Sequence, residues 1–115
     1  MVVETAPFIA AARAAGLSGA EVDRIVEHLA RHSDAGDPIQ GTGGARKLRF
    51  AGRGKGKSGG YRVITFYSGA DLPVFLLTVF AKGERSDLTK AERNALARLS
   101  KALVEGDRSR AGRRG

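Results

Sequence analysis

The chain contains no cysteine, so neither a disulfide framework nor a thiolate metal site can exist in it. That absence fits a reducing compartment. No apolar run approaches the roughly 20 residues of a membrane span; the longest, residues 73–81, has the length of a strand. A secretion signal is not expected either, because Glu4 stands where a basic region is needed and Arg13 interrupts the Ala-rich stretch behind it. These absences together predict a cytoplasmic protein with no membrane partner. A fourth absence is local: residues 41–62 contain no Asp or Glu.

What is present sharpens that last point. The sequence has 115 residues, 42% of them hydrophobic and 28% charged, as expected of one modest globular domain. The expected domain is residues 1–106, with 107–115 a disordered basic tail. The net charge of +8 is segregated. Residues 1–40 are net negative, whereas residues 41–62 carry Arg46, Lys47, Arg49, Arg53, Lys55, Lys57 and Arg62 with no acid among them. A concentrated positive field attracts a polyanion and speeds its encounter.

The pattern of residues predicts the order β-α-α-β-β-β-α. Residues 2–5 form a short strand. Ala-rich residues 6–15 favour helix, and Gly16 stops it. Ser18 with Glu21 three residues later makes a capping box, and Val22, Ile25, Val26 and Leu29 follow at helical spacing to about His32. Residues 34–44 read as loop. Residues 47–51 alternate as a strand with one basic face, residues 61–67 are β-branched and aromatic, and residues 72–81 are apolar enough for a central strand. Thr89 and Glu92 form a second capping box, and Leu96, Leu99 and Leu103 supply the stripe of a helix closing near Glu105. The fold class is α+β, a small antiparallel sheet with an N-terminal αα-hairpin and a C-terminal helix, and the helices are expected on one face.

Several motifs invite chemistry. The stretch "AGRGKGKSGGYR" ends in the Gly-Lys-Ser of a P-loop at residues 56–58, but Ala51 occupies the first glycine position. A P-loop must also open a helix whose amides meet the phosphates, and here a strand follows. Nucleotide binding is therefore set aside. Nucleic-acid backbone fits better, because paired strands would bring Lys47, Arg49 and Arg62 within reach of one another while Lys55 and Lys57 project from the intervening loop. The bland reading is a solvated basic hairpin, which must then tolerate the repulsion of seven cations. His28 and His32 lie four apart on the second helix, where a solvated flank is a better reading than a metal site. Glu84 and Asp87 read as structural partners of Lys82 and Arg85.

The segments "GTGGARKLR", "GKGKSGGYR" and "KGERSDLT", in this order, resemble the HigB-type branch of the RelE/ParE toxin superfamily over roughly residues 2–105. The resemblance implies a RelE-like fold and the toxin of a type II toxin–antitoxin pair. It implies a ribosome-dependent mRNA endonuclease that uses no metal or other cofactor, in which the ribose 2′-oxygen attacks the adjacent phosphate. That chemistry needs a base, cations around the phosphorane and an acid for the leaving oxygen. On the family's pattern the catalytic cations are Lys47, Arg49, Arg62 and Lys82, with Arg62 the principal phosphate ligand. Arg46, Arg53, Lys55, Lys57, Tyr61 and Arg85 are expected to contact RNA or ribosome, Tyr61 by base stacking, for which Tyr67 is the alternative. A lysine crowded by cations can serve as the base, which makes Lys47 and Lys82 the candidates.

Two departures stand out. RelE-type sequences place an arginine where Gly83 stands and a tyrosine where Thr89 stands. They keep a second reading open, a ParE-like inhibitor of DNA gyrase or a non-catalytic RNA-binding protein of the same fold. The implied partners are a cognate antitoxin of helix-turn-helix type, messenger RNA and the ribosome, with operator DNA reached only through the antitoxin complex.

Overall fold

The computed structural model describes residues 1–51, 60–67, 69, 72–81 and 88–114, with side chains as far as Gly106. Its elements in chain order are β1 (Val2–Glu4), α1 (Ala6–Ala15), α2 (Gly19–Arg31), β2 (Asp37–Pro38), β3 (Ala45–Phe50), β4 (Tyr61–Phe66), β5 (Val74–Ala81) and α3 (Lys90–Arg114). The α+β class follows the sequence pattern, and so does the element order apart from the added β2. No helix among the described residues is long and apolar enough to cross a membrane.

Local chemistry sets the helix starts. Thr5 caps α1 by accepting from the Phe8 amide at 3.3 Å, and its own hydroxyl donates to the Leu76 carbonyl at 2.7 Å, so one side chain both begins the helix and ties it to the sheet. Both capping boxes form. The Ser18 amide donates to Glu21 Oε1 at 2.9 Å and the Thr89 amide to Glu92 Oε1 at 2.8 Å, each answered by the reciprocal bond at 3.2 Å and 3.1 Å. The last helix runs to Arg114, past the expected end near Glu105 and through the residues read as tail. Those residues contain no proline and several Arg, which are good helix formers.

The sheet has five strands in the order β1-β5-β4-β3-β2. Three pairings are antiparallel, but β1 lies parallel to β5 with Val2 opposite Val74. The sheet is therefore mixed. The short β2, within the stretch read as loop, pairs Asp37 with Lys47 and Pro38 with Arg46. Its two residues are too few for a period-2 signal, and Pro38 fits only because the strand lies at the edge.

Helices cover both faces, which corrects the one-face expectation. On one face Phe8 and Ala12 of α1 and Ile25 and Leu29 of α2 pack against Val63, Val74, Leu76 and Val79. On the other, Leu88 and Leu96 pack against Ala45, Ile64, Phe66, Leu77 and Phe80. The reason lies in β4 and β5, which bury side chains of both parities and so need a cover on each side. A β-bulge adjusts the fit: Ile64 pairs with Thr78 and Thr65 with Leu76, so Leu77 is the extra residue, and Leu77 and Thr78 both turn to the α3 face while Leu76 and Val79 enter the α1–α2 core.

Candidate nucleic-acid interface

Strand parity divides the basic residues. Leu48 and Phe50 pack with the α1–α2 core and Ala45 with the α3 core. Alternation therefore places Lys47 and Arg49 on the α3 face. On β4, Val63 faces α1–α2 and Ile64 faces α3, which puts Arg62 on the α3 face as well. The register makes Arg49 and Arg62 direct cross-strand partners and sets Lys47 opposite Ile64. On the other side of β4, Arg62 pairs with Phe80, which is 4% exposed. Three cations thus stand over an apolar floor of Ile64 and Phe80, where charge interactions are less screened than in water.

Like charges directly opposite each other destabilise a sheet, so this arrangement opposes folding. A second cost falls on Arg62: its Nε is buried and makes no hydrogen bond among the described residues. A buried, unmet donor costs about 1–3 kcal/mol, and more on a charged group. An anion accepting from that nitrogen would relieve both costs at once, and guanidinium geometry suits a phosphate held by two parallel N–H bonds.

Arg46 behaves differently. It projects from the opposite parity, and its Nη1 donates to the Gly36 carbonyl at 3.1 Å, binding the loop after α2 to the sheet edge. That loop fits tightly, since a Cβ on Gly36 would lie 2.7 Å from the Lys47 carbonyl oxygen. Tyr61 also faces away from the cluster and packs, with Tyr67, at the border of the α1–α2 core. Burial raises the Tyr61 hydroxyl above its ordinary pKa, with the Glu21 carboxylate adding to the effect. Arg53, Lys55, Lys57, Lys82 and Arg85 lie outside the described residues, as do Gly83, Glu84 and Asp87.

The "GTGGAR" segment turns out to be a structural latch that launches β3. Thr42, 2% exposed, donates its hydroxyl to the Ile39 carbonyl at 2.6 Å and accepts from the Ala45 amide at 3.1 Å. Gly44, at φ +139°, presses on Phe66, where a Cβ would come within 2.6 Å of the ring. This latch fixes where β3 begins and hence which parity Lys47 and Arg49 take.

One chain-wide comparison accords with this arrangement. Residues 2–111 match the model of a protein family described as the RelE toxin of the RelE/RelB toxin–antitoxin system. The chain belongs to the RelE toxin family. It is therefore the toxin of a toxin–antitoxin pair, and an antitoxin is its partner. In this RelE-family toxin the basic cluster shares its sheet face with α3.

The structure also gathers residues that the sequence reading left apart. Arg24, Glu27, His28, Arg31 and His32 of α2 and its C-cap line a depression of about 270 Å³ together with Phe50 of β3. His28 meets Phe50 edge-on, centroids 5.4 Å apart and planes at 87°, and lies 5.0 Å from His32. The four-residue spacing of the histidines was visible in the sequence; their closure against the end of the basic strand was not. No group of three or more His, Cys, Asp or Glu among the described residues could hold a metal ion.

Proposed function

We propose that this toxin is a ribosome-dependent mRNA endonuclease of the HigB type, working without a metal. RelE-family toxins are generally endoribonucleases. The observation that carries the reading is the cross-strand pair Arg49–Arg62 with the Arg62 Nε buried and without a hydrogen-bond partner among the described residues. An anion held between the two guanidinium groups would offset both costs of that geometry.

In this mechanism the ribose 2′-oxygen attacks the adjacent phosphorus, the P–O5′ bond breaks, and a cyclic phosphate and a 5′-hydroxyl result. Negative charge grows on the non-bridging oxygens as the phosphorane forms. Arg62 and Arg49 bracket that charge from two adjacent strands, held in place before the reaction, which is how electrostatic catalysis avoids reorganisation cost. Lys47, two residues from Arg49 on the same face, is the described candidate for proton transfer, and Lys82 the candidate outside the described residues. Arg53, Lys55, Lys57 and Arg85 serve as backbone contacts, and the ribosome presents the message in the required geometry. The antitoxin, of helix-turn-helix type, masks the basic face and carries the pair to operator DNA.

The test is primer extension on a reporter mRNA in a reconstituted translation mixture, with wild type and Arg62→Ala. New 5′ ends inside codons, found only on translating ribosomes and reduced about 10²–10³-fold by the substitution, are the expected result. Intact message with wild type would refute the cleavage reading and turn attention to inhibition of DNA gyrase, measured by supercoiling.

A further inference from the structure

We propose that the exposed Arg24–Arg31 face of α2 is a second RNA-backbone site, continuous with the Arg49–Arg62 cluster around the edge of the sheet. The inference rests on the RNA reading above and extends it to a surface on the opposite side of the sheet.

Arg24, His28 and Arg31 recur at one-turn spacing, so they occupy one stripe of α2. Both arginines are exposed, while His28 is half-buried because its ring is clamped against Phe50. That clamp places the stripe beside the residue next to Arg49. Phe50 and Arg49 are neighbours in one strand and so point to opposite faces. The strand also lies at the sheet margin there. Pairing with β2 reaches only Lys47, and from Arg49 onward β3 has no strand beyond it among the described residues. A single RNA strand leaving the Arg49–Arg62 face can cross this margin and arrive at α2.

The chemistry of the depression suits single-stranded RNA. The two guanidinium groups offer phosphate contacts, and the exposed His32 ring, 5.0 Å from His28, offers a flat surface for a base. A metal ion on the two histidines is the poorer occupant, because a cation would sit between two arginines. Glu27 is the one acidic residue lining the depression among the described residues, and it opposes a phosphate there.

Fluorescence anisotropy with a short fluorescein-labelled 2′-O-methyl RNA tests this, because that probe lacks the attacking hydroxyl and remains intact. Affinity of the full-length protein is measured across salt from about 50 to 200 mM. The double variant Arg24→Gln/Arg31→Gln should bind on the order of tenfold more weakly, with a salt slope shallower by about 1.4, or about 0.7 for each lost phosphate. Glu27→Gln should tighten binding. All three substitutions are at exposed positions, and circular dichroism verifies that the variants fold. If Arg24→Gln/Arg31→Gln keeps wild-type affinity and slope while Arg49→Gln/Arg62→Gln loses binding, the α2 site is refuted, the RNA reading stands, and α2 is left as a surface for an acidic protein. If the wild-type protein fails to bind the probe, the α2 site is refuted, while the cleavage reading is decided separately by primer extension on translating ribosomes.

Discussion

Replacing Arg62 by Met should make this toxin more stable while removing its activity. Met preserves most of the unbranched aliphatic stem that Arg62 lays across the sheet and discards the guanidinium. Two costs disappear with it. The buried Nε has no hydrogen-bond partner among the described residues, and such an unmet donor costs about 1–3 kcal/mol. The Arg49–Arg62 pairing adds like-charge repulsion: by Coulomb's law, two unit charges about 7 Å apart repel by about 0.6 kcal/mol at the dielectric of water, and by more near an apolar floor. The expected gain is about 1.5–3 kcal/mol, or a rise in Tm of roughly 6–12 °C for a domain of this size. Thermal unfolding followed by circular dichroism reads it directly. Salt separates the two contributions, because raising it to about 1 M shortens the screening length to about 3 Å and removes the repulsion only. The difference between the Arg62→Met variant and wild type should therefore narrow in high salt without vanishing. A Tm for Arg62→Met below that of wild type would refute the reasoning, since Arg62 would then be a net structural contributor.

Three other outcomes follow from the geometry. Gly44→Ala should destabilise by about 2–4 kcal/mol, because it combines a disfavoured backbone angle with a Cβ 2.6 Å from the Phe66 ring; a urea midpoint equal to that of wild type would count against the latch. Thr42→Val should cost about 1–3 kcal/mol by orphaning the Ala45 amide, whereas Thr42→Ser, which retains the hydroxyl, should recover most of it in the same urea series. The raised pKa of Tyr61, caused first by burial and then by Glu21, gives stability an alkaline limit. The folded state holds that proton more tightly than the unfolded one. The contribution is therefore complete below the unfolded value of about 10 and is lost as pH rises through the folded value. Ultraviolet titration of Tyr61 in a Tyr67→Phe background should show its tyrosinate forming above the ordinary tyrosine range, and Glu21→Gln should bring it earlier; ionisation of Tyr61 within the ordinary range would contradict the packing.

The element order and the helix starts were legible in the sequence because they depend on near neighbours. Ser18 with Glu21 and Thr89 with Glu92 each span three residues, and both boxes form as the spacing requires. The segregated charge was equally legible, being a matter of counting. The parity of Lys47 and Arg49 against Leu48 and Phe50 could be read from alternation alone. Arg46 shows the limit of such reading. Composition places it in the same basic run, yet its guanidinium is committed to the Gly36 carbonyl, a partner ten residues away that no local pattern identifies. Tyr61 is a similar case: a strand tyrosine beside an arginine suits base stacking, but parity turns it toward α1 and α2.

The sequence by itself determined a basic, cysteine-free α+β chain of the RelE type, with its cations concentrated in one hairpin. Those properties belong to composition and short-range spacing. Only the tertiary structure decided that β1 runs parallel to β5, that helices cover both faces, and that Arg49 stands opposite Arg62 with a buried nitrogen that has no hydrogen-bond partner among the described residues. It also brought the α2 stripe to the end of the basic strand. Strand register controls the facing of the cations, and the bulge at Leu77 sets which core each later β5 side chain enters, because a shift of one residue reverses the face of every side chain beyond it. That shift depends on how two cores are filled together, which no single segment specifies.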